Sequence, residues 1–271
     1  MQILHNVPAL EALSNLSTTN NEIQKSLAKL SSGLKIVRSS DDAAGLAVSE
    51  KLRSQINALG QAKLNAQDGI SMLQTAEGAL NVTHNVLQRL NTLSIRAAND
   101  ATLTSSDKAL IQNEAVSLTD ELTRMSATIK FNTKALLDGS FTAQTLQVGA
   151  ESGTTNQMTV DITGVSATTL GVDTLDLVGS AGAAIDSIAS AITLVSTNRG
   201  ALGAVMNRLE KTIENIDIQS VNMTASESRI RDVDMAAEMS NFTKLQVLQQ
   251  AGTAMLGQAN AQPQSVLSLL K

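Results

Sequence analysis

The chain has no cysteine, no tryptophan and no tyrosine among its 271 residues, and only three phenylalanines, two prolines and two histidines. Without cysteine there is no disulfide, no thiolate nucleophile and no Cys-ligated metal, although the absence leaves the compartment open. His5 and His84 stand apart, with no HExxH pairing, so a zinc-peptidase motif is excluded. Aromatics normally supply much of a globular core's buried area. Here Ala, Leu, Ile, Val and Met must do so, which suits close-packed helices. The net charge of −5 and a pI near 5.1 argue against a basic surface for nucleic acid. The N-terminus, MQILHNVPALEALSNLSTTN, has no basic n-region and no unbroken apolar run, so a general secretory signal peptide is not expected. No stretch approaches the roughly 18 apolar residues of a membrane span. A soluble chain is expected, using another route if it is exported. No nucleophile–base pair, metal cluster or phosphate loop is legible, so neither an enzyme nor a cofactor is expected.

What the chain does have is helical periodicity. Pro8 and Pro263 lie near opposite ends and leave the interior free to be helical. Between Ser40 and Asn99, Leu52, Ile56, Leu59, Ala66, Ile70, Leu73, Leu80 and Leu87 follow one four-and-three spacing, the stripe of a coiled-coil seam. A helix over this span would be roughly 80 Å long, so it needs partners alongside. Asp41 and Asp42 precede it. A paired acid/base or metal site would need His, Glu or Cys beside them, and capping of the helix start explains them better.

Residues 3–33 form a weaker amphipathic helix through Ile3, Val7, Leu10, Leu16, Ile23, Leu27 and Leu30, stopped by Gly33. The long helix breaks at 99–103. Thr104 and Asp107 make a capping-box restart, followed by Ile111, Ala115, Leu118, Leu122, Met125 and Ile129. The stretch 138–180 is rich in Gly, Ser, Thr and Asp and has no helical stripe. Within it Leu146, Val148 and Ala150 alternate with polar residues, as do Met158, Val160 and Ile162, which predicts a β-hairpin. The Ser/Thr cluster at 152–169 reads as turn chemistry ahead of an O-glycan site. From Ile185 through Ile188, Ile192, Val195, Leu202, Met206, Leu209, Ile213 and Ile216 to Met223 a second long seam runs. Gly200 and Gly203 inside it point to a tight packing contact. SRIRDVD at 228–234 reads as an ion-pair joint. Residues 235–260 then carry Met239, Phe242, Leu245, Leu248, Met255 and Ala259 as a last stripe. The stripe methionines read as core or interface filler.

The expected fold is mainly α: long helices in an antiparallel coiled-coil-like bundle, a small β-hairpin region at the tip (about 138–180), and paired N- and C-terminal helices. Two domains are expected, 1–40 with 232–271 as a terminal helical pair and 41–231 as the bundle. Ordering a chain costs on the order of 1–2 kcal/mol per residue in backbone entropy. Two thin terminal arms are therefore marginal alone and are expected to order on assembly.

Long ordered motifs carry a resemblance. SLAKLSSGLKI at 26–36, DDAAGLAVSEKLRSQI at 41–56, LNAQDGISMLQTAEGAL at 64–80 and LQRLNTLSIRAAN at 87–99 match at one end. GALGAVMNRLE at 200–210, SRIRDVDMAAEMSNFTK at 228–244 and LQQAGTAMLGQANAQPQSVLSLL at 248–270 match at the other. The sequence resembles bacterial flagellin over about residues 1–150 and 183–271. The resemblance implies a structural subunit of the bacterial flagellar filament, a helical homopolymer for swimming motility. It implies an extracellular place in the flagellum, reached unfolded through the flagellar type III apparatus. It implies an assembly seam at Leu27, Leu30, Leu245, Leu248, Leu267, Leu269 and Leu270, with the terminal pair lining an inner tube. Implied partners are further copies of the chain, an export chaperone on Leu245–Leu270, hook-associated junction and cap proteins, and a host innate flagellin receptor. The receptor surface maps to Gln88, Arg89, Leu93 and Glu114, positions that also serve subunit packing. The alternative within the family is the hook–filament junction protein, present in few copies.

Overall fold

A computed structural model describes residues 6–269, with side chains described through residue 262. Its helices are α1 (Val7–Ser32), α2 (Ala43–Ala97), α3 (Ser105–Thr128), α4 (Ala181–Arg231) and α5 (Met235–Leu269). Four short strands lie between α3 and α4: β1 (Lys130–Phe131), β2 (Lys134–Ala135), β3 (Gln144–Gln147) and β4 (Gln157–Val160). The mainly helical class and the small strand region are as the periodicity predicted.

The helix ends follow local chemistry. Asn6 caps α1, its Oδ1 accepting from the Ala9 amide at 3.2 Å. Gly33 closes that helix at φ 73°, a left-handed conformation that lets its amide reach the Lys29 carbonyl at 2.9 Å. Thr104 and Asp107 form the expected capping box at the start of α3. The Thr104 hydroxyl and amide both donate to Asp107, which holds that carboxyl below its ordinary value.

The chain divides into two compact units, Met1–Ile56 with Val221–Lys271, and Asn57–Ser220. Both junctions fall inside α2 and α4, not at the loops 33–42 and 231–234 where the sequence places the domain boundary.

In the first unit α1 and α5 run antiparallel. Asn6 Nδ2 donates to the Ala259 carbonyl at 2.8 Å, Gln249 Nε2 to Asn20 Oδ1 at 2.7 Å, and the Ser26 hydroxyl to Glu238. Beyond their ends, the Lys35 amide donates to the Arg231 carbonyl and the Val233 amide to the Gly33 carbonyl. The less exposed positions of α5 are Glu238, Phe242, Leu245, Gln249, Gly252, Leu256 and Ala259, a four-three repeat facing α1. On α1 the same repeat runs through Ala9, Ala12, Leu16, Thr19, Ile23, Ser26 and Leu30. Both arms are therefore helical in the single chain. The seam's small and polar members let the two backbones approach closely.

In the second unit α2 pairs with α4 and α3. Lys63 Nζ meets Asp217 at 2.7 Å and Arg199 meets Glu77 at 2.8 Å, which sets α4 antiparallel to α2. Leu73, Leu80, Leu87 and Leu90 of α2, Leu122 of α3, and Ile188, Val195, Leu202 and Leu209 of α4 are buried in one core. Nothing lies within 4 Å of a methyl placed on Gly200 or Gly203, so the single chain contains no tight packing there. That corrects the reading of these glycines.

The predicted hairpin is present: β3 and β4 pair antiparallel with Leu146 opposite Met158. A second one, β1 with β2, turns through Asn132 and Thr133 at φ 44° and 71° and has no glycine to announce it. The remainder of 138–180 is not a polar margin. Phe141, Ile162, Val165, Leu170, Val172 and Leu177 are buried in the same core as the helices. The Gln112 side chain holds this segment, donating to the Leu175 carbonyl at 2.6 Å and accepting from the Leu177 amide at 2.7 Å.

Segments 137–141 and 162–165 run close together, the Ile162 amide donating to the Phe141 carbonyl and the Val165 amide to the Leu137 carbonyl, and two glycines meet between them. A Cβ on Gly164 would stand 2.8 Å from the Gly139 nitrogen and 2.9 Å from its Cα, so backbone would have to move. Gly164→Ala is therefore expected to cost about 1–3 kcal/mol. A urea unfolding curve reads this directly, and an unchanged midpoint would show that the contact can relax.

Candidate assembly surface

The α1/α5 seam uses one face of each helix and leaves large apolar side chains exposed outside it. Val7, Leu10, Leu13 and Leu27 of α1 are exposed, Leu10 to 60% and Leu27 to 54%. On α5, Met235, Met239, Val247, Leu248 and Met255 are exposed, Val247 to 59% and Met255 to 63%. Leu13 and Leu27 lie two heptads apart, and Leu248 and Met255 one, so each set recurs along its helix. Polar residues would solvate such positions in a free-standing helical pair. An apolar face rimmed by polar side chains marks an interaction surface.

The expected seam residues separate into two groups. Leu245 is buried and Leu30 half-buried, so both serve the α1–α5 contact within one chain. Leu27 and Leu248 face outward. The stripe read from sequence on α5 mixed seam and exposed positions: Phe242, Leu245 and Ala259 belong to the seam, Met239 is exposed on one flank of it, and Leu248 and Met255 are exposed on the other. Leu270 and the side chains of Leu267 and Leu269 lie outside the described residues.

Asp41 and Asp42 do different things. Asp42 Oδ1 accepts from the Gly45 amide at 2.9 Å, at the start of α2. Asp41 Oδ2 instead accepts from the Arg38 amide at 2.9 Å and the Val37 amide at 3.2 Å, pinning the preceding loop. The Arg38 amide, then that of Val37 and the nearby Lys29 and Lys25, hold the Asp41 carboxyl below its ordinary value. Asp234, read from the sequence as part of the ion-pair joint, caps α5 by accepting from the Ala236 and Ala237 amides. In the joint before it Arg231 pairs with Glu50 across the first unit.

On the second unit, Arg89 Nε and Nη2 both donate to Glu114 Oε1, at 2.9 and 2.6 Å, on an exposed surface. Gln88 is exposed beside them and hydrogen-bonds His84 at 2.9 Å. Leu93 does not belong to this surface. It is 2% exposed, inside the core. The signal was available: Leu87, Leu90, Leu93 and Ala97 step by three, three and four, which turns Leu93 inward with its neighbours. Among the described residues no three His, Asp or Glu side chains gather as a metal site, and no helix is long and apolar enough to cross a membrane.

Two family models match. The bacterial flagellin N-terminal helical region covers residues 3–142 and the C-terminal helical region residues 185–270. A flagellin of Halalkalibacterium halodurans is 48% identical over 273 residues, with 100% of both chains covered. A flagellin of Bacillus subtilis is 46% identical over 306 residues, again with 100% of each chain covered. The crystal structure of Bacillus cereus flagellin shares 28% identity at a TM-score of 0.50, covering 60% of this chain and 94% of that one. A terminal helix pair with exposed apolar side chains, a long-helix bundle and family matches spanning both ends lead to one assignment: the chain belongs to the bacterial flagellin family.

Proposed function

We propose that copies of this chain build the flagellar filament by packing the outward faces of α1 and α5 against neighbouring copies. The observation that carries this reading is the pair of terminal helices whose seam is filled within the chain while large apolar side chains outside it stay open to solvent. Members of the family are structural proteins of the flagellum, outside the cell, and not enzymes. In the proposed filament the terminal segments, about 1–40 and 232–271, line the inner tube, and 41–231 form the shell around it.

The finer partners follow from the same faces. Export through the flagellar type III apparatus takes the chain unfolded, and a chaperone on Leu245–Leu270 would hold side chains that otherwise close on α1; burial of Leu245 supports this competition. Junction and cap proteins would meet the same open faces at the polymer's two ends. The exposed Gln88, Arg89 and Glu114 surface is available to neighbouring subunits and, on a free subunit, to a host receptor. The junction-protein alternative is not favoured, because the full-length relatives are themselves flagellins.

The test is induced polymerisation of the purified chain in a salting-out buffer, viewed by electron microscopy. Long homopolymeric filaments are expected. Persistent monomers, or rings that stop at a few copies, would overturn the reading.

A further inference from the structure

Three of the exposed apolar residues of α5 are of an unusual kind. Met235, Met239 and Met255 are 47%, 49% and 63% exposed. Elsewhere Met72, Met125 and Met158 are buried, and Met206 and Met223 are half-buried. Among the described residues, every methionine left widely open to solvent is therefore on this one helix. Leucine or isoleucine would supply the same apolar area without a reactive atom. A thioether differs in one chemical respect: peroxides oxidise it, and reductases reverse the product.

We propose that these three methionines form an oxidation site through which peroxide controls whether a free subunit can assemble. This rests on the assembly reading above. In the step, one oxygen atom passes from the peroxide to the methionine sulfur. The O–O bond breaks and an S–O bond forms. The sulfur gives up two electrons, the peroxide is reduced, and with hydrogen peroxide the remaining oxygen leaves as water. The product is a polar, chiral sulfoxide standing where an apolar side chain has to enter a subunit contact. Each sulfoxide carries an acceptor oxygen into a surface that, once covered, offers it no water. Once a subunit is in the filament, the same contact excludes peroxide from the sulfur. Free subunits are then the sensitive pool and assembled ones the protected pool. The buried Met72, Met125 and Met158 are shielded by the core in both.

The experiment treats one portion of purified chain with hydrogen peroxide before polymerisation and an equal portion after it. Mass spectrometry locates the added oxygens. In the free chain Met235, Met239 and Met255 are expected to oxidise first, ahead of Met72, Met125 and Met158. Polymer yield from that portion is expected to fall at least about tenfold. Methionine sulfoxide reductases of both stereochemical classes are expected to restore it. In preformed filaments the three residues should oxidise more slowly and the filaments should persist. If the untreated chain does not polymerise, the assembly reading itself falls. If it does polymerise, three results overturn the oxidation site alone: full polymer yield with the three residues oxidised, a loss the reductases do not repair, or equal oxidation of the buried methionines.

Discussion

A chain carrying Met239→Asp and Leu248→Asp is expected to fold as the parent does and to form no filaments. Both residues are exposed, on the two flanks of the α1 seam, so neither carboxylate is buried in the single chain. Asp in a helix interior lowers stability by only about 0.5 kcal/mol per site. The inner repeat of Phe242, Leu245, Gln249, Gly252 and Leu256 is untouched. In the filament, each substituted position would have to enter a subunit contact. Taking an ion out of water costs several kcal/mol unless a partner charge meets it, and every 1.4 kcal/mol is tenfold in association. The two positions together should raise the polymerisation threshold by more than about a hundredfold. Circular dichroism and thermal melting would report an unchanged subunit, while sedimentation and microscopy would report the missing polymer. Filaments forming at the parent's concentration would mean that assembly uses another face.

Leu177→Ala is expected to destabilise the second unit by about 2–5 kcal/mol, the range for deleting most of a buried leucine. Leu177 is fully buried although it lies in a segment without strand or helix, between β4 and α4. Its amide is held by Gln112, so the side chain is fixed in the core by a hydrogen-bonded backbone. Val178, the next residue, is 42% exposed, and Val178→Ala should stay within about 0.5 kcal/mol. Urea unfolding of the two variants separates a packed segment from a loose one. If Leu177→Ala falls in the same small range as Val178→Ala, residues 161–180 are a surface loop and not core.

This contrast also shows what periodicity can and cannot reveal. A helix buries residues at a fixed interval, so Leu59, Leu73, Leu80 and Leu87 announce α2, and Val195, Leu202 and Leu209 announce α4. A winding segment buries Val165, Ala167, Leu170, Val172, Leu175 and Leu177 at intervals of two, three, two, three and two. That spacing matches neither the helix nor the strand period, and the abundant Gly, Ser and Thr between them read as solvent. The β1–β2 turn was hidden for a related reason, because Asn132 and Thr133 take positive φ without a glycine.

The terminal helices were legible in kind but not in face. Apolar residues occupy two sides of α5, and a search for the strongest stripe collects Met239, Leu248 and Met255 with Phe242 and Leu245. The inner repeat includes Glu238, Gln249 and Gly252, which carry no hydrophobic signal. They are there because Glu238 accepts from Ser26, Gln249 donates to Asn20, and Leu16 lies against Gly252. A buried polar pair of this sort suits fixing a helix register. Leu93 was misplaced by the opposite error: its motif was weighed and its helical phase was not.

Side-chain footprinting with hydroxyl radicals, on free subunits and on the assembled filament, tests the assembly face most directly. Leu10, Leu13, Leu27, Val247, Leu248 and Met255 should react in the free chain and become protected in the filament, while Leu245 stays unreactive in both. Equal reactivity of those outward residues before and after assembly would contradict the proposal that this face joins the subunits.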